Sequence, residues 1–145
     1  NSALPPVVGA IAEISLRHGV VWEGKKVVIF GHGKLVGQPA EEYAKSRGGD
    51  IFVVTKDTKD AGLFLQDADI VIAGAGVPRG IAADMVKTGV VVFDAGASED
   101  GGAIVGDVSS EVAEKASLFT PVPGGIGPIT VALLLRNLVD IVEKK

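Results

Sequence analysis

The chain has 145 residues, a length that suits one domain, and its 14 basic and 18 acidic side chains give a net charge of −4. It has no cysteine and only two histidines, which excludes disulfides, iron–sulfur clusters and zinc sites built from Cys or several His. The acidic balance and an aromatic content of 5% argue against a nucleic-acid surface. No apolar run is long enough to span a bilayer and no signal peptide is recognisable, so we expect a cytoplasmic protein without membrane contact.

Five short apolar runs, each closed by glycine, proline or a polar residue, predict β-strands. They cover residues 26–30, 50–55, 69–73, 90–93 and 117–120. Most of these runs lack apolar/polar alternation, which indicates burial on both faces and therefore a parallel sheet.

Helices are predicted around and between these strands, at residues 5–19, 38–47, 59–67, 81–87, 109–116 and 128–142. Strands and helices that alternate with short connections imply right-handed crossovers. The expected fold is therefore α/β, a doubly wound (Rossmann-type) parallel sheet with helices on both faces, formed by residues 1–145 as one domain. Residues 97–103 are predicted to form a polar, glycine-rich loop.

The first strand runs directly into the segment Gly31-His32-Gly33-Lys34-Leu35-Val36-Gly37-Gln38-Pro39. A glycine turn followed by a helix N-terminus lets a phosphate approach free backbone N–H groups. The fit to the usual G-x-G-x-x-G pattern is imperfect, because Val36 stands at the third glycine and Gly37 comes one residue later. The alternative is a tight turn that binds no ligand. The position of this segment after the first strand favours dinucleotide binding instead.

Other strand ends also carry polar or small residues. After the second strand, Lys56 and Lys59 flank Asp57; this turn is either simply solvated or lies beside an adenosine ribose, and the lysines favour a phosphorylated ribose. Asp94 and Asp107 are candidate catalytic carboxylates, but strand-end aspartates more often accept hydrogen bonds from loop amides, which is the interpretation we favour. No catalytic residue or metal ligand is predicted from these patterns.

Four segments together resemble one known family. They are the turn at 28–39, the strand and turn at 68–78, the segment Val105-Gly106-Asp107-Val108, and Thr120-Pro121-Val122-Pro123-Gly124-Gly125-Ile126-Gly127-Pro128-Ile129-Thr130, which is the most specific. The family is the bifunctional methylenetetrahydrofolate dehydrogenase/methenyltetrahydrofolate cyclohydrolase. The resemblance covers essentially the whole chain and matches the C-terminal, cofactor-binding half of that enzyme.

The resemblance implies a multifunctional enzyme of one-carbon metabolism that oxidises 5,10-methylenetetrahydrofolate with NADP, or in some members NAD, and then hydrolyses the methenyl product. The cofactor-binding residues that it implies are Gly31, His32, Gly33, Lys56, Gly76, Ala97 and Thr130, with Pro123, Gly124 and Gly125 lining the cleft shared with folate. The chain departs from the family at three kinds of position. His32 and Gly33 replace an Arg and a Ser, Lys56 stands where a Ser is common, and Ala97 replaces an Ile.

The family's catalytic Tyr and Lys belong to an N-terminal half that has no counterpart in these residues. We therefore expect the chain to bind NADP, with NAD as the other possibility, but not to turn over folate by itself. The helices in residues 1–20 and 128–145 are expected to face the missing half and to leave an apolar patch exposed or self-associating. The parent enzyme is expected to be a homodimer.

Two other interpretations remain open. Loss of the Arg and the smaller Ala97 also suit a non-catalytic dinucleotide-binding or interaction module. A domain of another two-domain dehydrogenase, such as a shikimate type, is the third interpretation, and the segment at 121–128 argues against it.

Overall fold

The computed structural model describes residues 4–143 and contains a five-stranded parallel sheet and a two-stranded hairpin. In chain order the strands are β1 (Lys26–Phe30), β2 (Asp50–Val54), β3 (Ile70–Ala73), β4 (Val91–Asp94), β5 (Ser98–Asp100), β6 (Ala103–Val105) and β7 (Leu118–Phe119). The sheet has the order β2-β1-β3-β4-β7, and β5 pairs antiparallel with β6. The five predicted strands are confirmed, with ends that differ by at most one residue.

The strand order decides where the sheet can bind a ligand. The chain leaves β1 to form β2 on one side and then returns to form β3 on the other side of β1. In open α/β sheets the ligand crevice lies at such a reversal, outside the carboxyl ends of the strands. The turns that follow β1 and β3 are therefore the place where a site is expected.

Four α-helices flank the sheet: α1 (Pro6–His18), α2 (Gly37–Ser46), α3 (Ala61–Asp67) and α4 (Ile126–Glu143). Helices α1, α2 and α4 cover one face, where Ile29, Ile72 and Phe93 are fully buried. Helix α3 and two short 3₁₀ turns cover the other face, where Val28 and Val71 are buried. Burial on both faces confirms the doubly wound parallel sheet. No helix in residues 4–143 is long and apolar enough to cross a membrane.

Two predicted helices are wrong. Residues 81–87 form only the 3₁₀ turn Ala83–Met85, and residues 109–116 form the 3₁₀ turn Ser110–Glu114. The reason lies between the two segments, where the N–H of Ile81 donates to the carbonyl of Asp107 at 2.9 Å and the N–H of Ser109 donates to the carbonyl of Ile81 at 2.8 Å. These bonds hold both segments in an extended bridge, which leaves too few residues for a stable helix.

The predicted loop at 97–103 is also wrong, because most of it belongs to the β5–β6 hairpin. Gly101 and Gly102 form the two-residue connection, and both have positive φ angles of 61° and 83°. That conformation matches the twist of the flanking strands and closes a tight hairpin. Arg79, from the segment after β3, forms an ion pair with Asp100 on β5 and holds the hairpin to the sheet edge.

Candidate functional site

The turns after β1 and β3 touch through bare backbone at the carboxyl edge of the sheet. Gly31 has a φ of 102°, and its N–H donates to the carbonyl of Val54 at the end of β2, at 2.8 Å. A Cβ on Gly31 would lie 2.8 Å from the Cα of Ala75 in the β3 turn, which is closer than real Cβ contacts. Only glycine at position 31 therefore lets the three strand ends come this close together.

Gly37 serves as the third glycine of the G-x-G-x-x-G pattern, which usually stands at position 36 and allows the helix to pack closely against the turn. A Cβ on Gly37 would overlap the carbonyl oxygen of Gly31, so the absence of a side chain lets α2 begin directly against the turn. Val36 points the other way and packs on Gly74, where an added Cβ would meet the Val36 side chain at 2.5 Å. The imperfect spacing noted in the sequence therefore still produces a close contact between strand and helix.

The turn between β1 and α2 offers unused hydrogen-bond donors. Within residues 4–143 the backbone N–H groups of His32 and Gly33 donate to no protein acceptor, and both residues are exposed. A Cβ on Gly33 would meet no atom within 4 Å, so open space lies beside these amides. Free N–H groups in a glycine turn that leads into the positive end of a helix dipole form a site for an anion such as a phosphate.

The imidazole of His32 lies beside an acidic side chain that the sequence did not suggest. Its Nε2 is 3.4 Å from Oε1 of Glu41, one turn into α2, and Nζ of Lys45 is 4.0 Å from the same oxygen. The carbonyl of His32 accepts a hydrogen bond of 3.1 Å from the Gln38 amide. No spacing motif links positions 32 and 41, so only the folded chain brings this pair together.

Asp94, at the end of β4, is almost fully buried and binds the backbone on both sides of the hairpin. Its Oδ1 accepts from the N–H of Gly96 at 3.0 Å and of Asp107 at 3.1 Å, and its Oδ2 accepts from the N–H of Val108 at 3.0 Å. The N–H of Asp94 itself donates to Oγ1 of Thr120 at 2.8 Å, which ties β4 to the segment after β7. The carboxylate thus fixes two loop segments at one edge of the sheet, and the backbone N–H of the same residue fixes a third.

Asp107 continues this arrangement towards the β3 turn. Its Oδ2 accepts from the N–H groups of Ala75 at 2.6 Å and Gly76 at 3.2 Å, and its Oδ1 accepts from the N–H of Val77 at 2.9 Å. Burial raises the pKa of Asp107, and likewise that of Asp94, while the backbone hydrogen bonds act in the opposite direction. The structural interpretation of both aspartates is confirmed, because their oxygens bind loop amides.

The sequence-predicted site residues fall into two groups. Gly31, His32, Gly33 and Gly76 lie in the touching turns, but the amide of Gly76 already donates to Asp107. Five others follow the ends of β2, β4 and β7, and the last lies near the start of α4: Lys56, Ala97, Pro123, Gly124 and Gly125, and then Thr130. Lys56 and Ala97 are exposed, and Oγ1 of Thr130 donates to the carbonyl of Ile126 at 2.9 Å. Their roles in binding stay predictions.

A cavity of about 390 Å³ lies at the other edge of the sheet, among residues that precede the strands. His18, Lys25, Asp69 and Ser117 are part of its lining. The carboxylate of Asp69 is already satisfied by the Lys26 N–H and the Lys87 ammonium. This cavity lies at the opposite edge of the sheet from the free amides of His32 and Gly33, so we place the candidate site at the carboxyl edge instead.

Residues 5–145 match the family of tetrahydrofolate dehydrogenase/cyclohydrolase NAD(P)-binding domains. The chain belongs to this family. Membership agrees with the resemblance found in the sequence and gives no support to a separate interaction module.

Individual relatives agree with the family assignment. The bifunctional protein FolD of Aquifex aeolicus is 46% identical over 135 residues, which are 92% of this chain and 46% of that protein. The FolD structure from Campylobacter jejuni has a TM-score of 0.93 and 38% identity, and the match covers 99% of this chain and 52% of that one. The Trypanosoma brucei enzyme, solved with NADP and an inhibitor, has a TM-score of 0.89 and 32% identity over 97% of this chain and 51% of that one. The chain thus spans about half the length of the curated relatives it matches.

Proposed function

We propose that the chain is the NADP-binding part of an enzyme that oxidises 5,10-methylenetetrahydrofolate and hydrolyses the methenyl product. The observation that carries this proposal is the pair of free amides at His32 and Gly33, which lie beside open space at the reversal point of the sheet. Family membership and the NADP bound to the Trypanosoma brucei relative support the choice of ligand.

The bound cofactor would supply a nicotinamide ring that accepts hydride, while the chain supplies binding and orientation. The amides of His32 and Gly33 would hold the pyrophosphate, and Lys56 would contact the 2′-phosphate. Ala97, after the end of β4, and Thr130, near the start of α4, would face the nicotinamide end. The loop formed by Pro123, Gly124 and Gly125 would border the cleft that folate enters.

Turnover would also require a folate-binding half, since the chain covers 45–49% of several curated relatives. Helices α1 and α4 would face that half, and their described residues include the strongly exposed Leu16, Val131 and Leu135. Part of the expected patch, in residues 1–3 and 144–145, lies outside the described residues. We expect the chain alone to give no dehydrogenase or cyclohydrolase turnover. A homodimeric parent and a cytoplasmic location belong to the same proposal.

A binding titration with a matched pair of variants tests the cofactor site. In Gly33→Asp the new carboxylate would enter the open space beside the free amides, with no clash in the fold, and would repel the pyrophosphate. Gly62→Asp makes the same change in the first turn of α3, where an added Cβ also meets no atom and an acidic residue suits the helix dipole.

Isothermal titration calorimetry should show NADP binding to the wild-type chain and to Gly62→Asp. In Gly33→Asp we expect the affinity to fall at least tenfold, about 1.4 kcal/mol. Equal affinities for the two variants would place the cofactor elsewhere, and a wild-type chain that binds neither NADP nor NAD would refute the proposed function.

A further inference from the structure

The end of β2 and the turn after β1 form one corner of the proposed cofactor site. In doubly wound folds the adenosine ribose lies at the end of the second strand, where a cation suits a 2′-phosphate and a carboxylate suits a 2′-hydroxyl. Here the N–H of Gly31 is bonded to Val54, the last residue of β2. The charged groups of this corner are therefore those around His32 on the turn and Lys56 after the strand.

The charges in this corner oppose one another. Lys56 is exposed and, within residues 4–143, takes part in no ion pair. His32 faces the carboxylate of Glu41 at 3.4 Å, and Lys45 approaches the same carboxylate at 4.0 Å. The side chain of Glu41 is 25% exposed, whereas those of His32 and Lys45 are 41% and 65% exposed. Glu41 is thus the least exposed of the three side chains, and water screens its negative charge less than it screens the ammonium of Lys45.

We propose that Glu41 sets the cofactor selectivity of this chain, by lowering its affinity for a phosphorylated ribose relative to one with a free 2′-hydroxyl. The inference rests on the proposed function and adds a residue that decides between its two cofactors. The carboxylate acts in two ways: it repels a 2′-phosphate, which carries nearly two negative charges, and it occupies the imidazole that would otherwise donate to that phosphate.

This mechanism predicts an effect confined to one ligand. NADP and NAD differ only in the 2′-phosphate, so a change in charge at position 41 should alter NADP binding and leave NAD binding unchanged. A merely structural role of Glu41, such as holding the first turns of α2, would change both affinities together. The ratio of the two dissociation constants is therefore the diagnostic quantity.

The test compares Glu41→Gln with Glu42→Gln by calorimetric titration of each chain with NADP and with NAD. Glu42 is the neighbouring, exposed residue of the same helix, so its variant removes the same charge without touching His32. Glutamine keeps the shape of glutamate and its helix propensity, and circular dichroism checks that both variants fold.

In Glu41→Gln we expect the dissociation constant of NADP to fall about fivefold while that of NAD changes less than twofold. In Glu42→Gln both constants should stay within twofold of the wild type. No change in the NADP constant of Glu41→Gln, or equal changes for the two cofactors, would overturn the inference and leave the proposed function intact. If the wild-type chain binds neither cofactor, both are wrong.

Discussion

Replacing Asp107 by alanine should destabilise the fold strongly, because one carboxylate serves three consecutive backbone N–H groups. The variant leaves the amides of Ala75, Gly76 and Val77 without their acceptor. An unsatisfied buried donor costs about 1–3 kcal/mol. These three residues lie in an exposed turn that water can reach, so the low end applies, and the expected loss is about 3 kcal/mol in the free energy of unfolding.

The asparagine variant separates the bonds from one another. Oδ2 of Asp107 accepts from both Ala75 and Gly76, so an asparagine oxygen in that place keeps two of the three bonds. The side-chain NH₂ group of the asparagine then faces the N–H of Val77, so the third hydrogen bond is lost. Removal of the buried charge offsets part of this loss. We expect a destabilisation of about 1 kcal/mol for Asp107→Asn.

Urea denaturation followed by circular dichroism measures both losses, with Asp84→Asn, at an exposed position, as the control. The control should stay within about 0.5 kcal/mol of the wild type. A loss below about 1 kcal/mol for Asp107→Ala, or equal losses for the alanine and asparagine variants, would refute the assignment of these hydrogen bonds.

Three further predictions concern the edges of the sheet. Gly37→Ala should cost about 2 kcal/mol in urea denaturation, because the added Cβ overlaps the carbonyl of Gly31, whereas Gly33→Ala, in open space, should cost under about 0.5 kcal/mol. Lys56→Ala should weaken NADP binding about fivefold in calorimetry and leave NAD binding unchanged. A hydrogen bond from the Lys87 ammonium, together with one from a backbone N–H, lowers the pKa of Asp69 from 3.8. The ionised Asp69 therefore stabilises the fold above about pH 4, and this stabilisation is lost as the pH falls below that value. Melting temperatures between about pH 2.5 and 6 should show this loss in the wild type and not in Asp69→Asn.

The sheet could be predicted from the sequence because its strands are continuous apolar runs, which only a doubly covered parallel sheet buries. The two false helices, at 81–87 and 109–116, have apolar residues at suitable spacing, but their backbone groups are used by the bridge between Ile81 and Val108. The hairpin did have a local signal, since Gly101-Gly102 between two short runs is typical of a two-residue turn. The strands of the hairpin were missed because β5 consists of polar residues, whereas strands were predicted from apolar runs.

The candidate site was only partly predictable, for a different reason. The turn at 31–33 follows from a local pattern of glycines after a strand. The pairing of His32 with Glu41 depends on how a side chain leaves the turn, and the bonds from Asp107 to the β3 turn join positions about thirty residues apart. Contacts of this kind depend on tertiary placement, which a single sequence does not reveal.

The bonds of Asp107 also bear on the direction in which an asymmetric ligand can lie. Two glycine turns stand side by side at the reversal point, and each presents successive N–H groups. At 75–77 the protein has already supplied its own anion, so that turn competes for no phosphate from solution. At 32–33 the backbone N–H groups remain available to a bound ligand. The two neighbouring turns therefore differ in their capacity to bind an anion. This difference favours one of the two orientations in which a dinucleotide could bind.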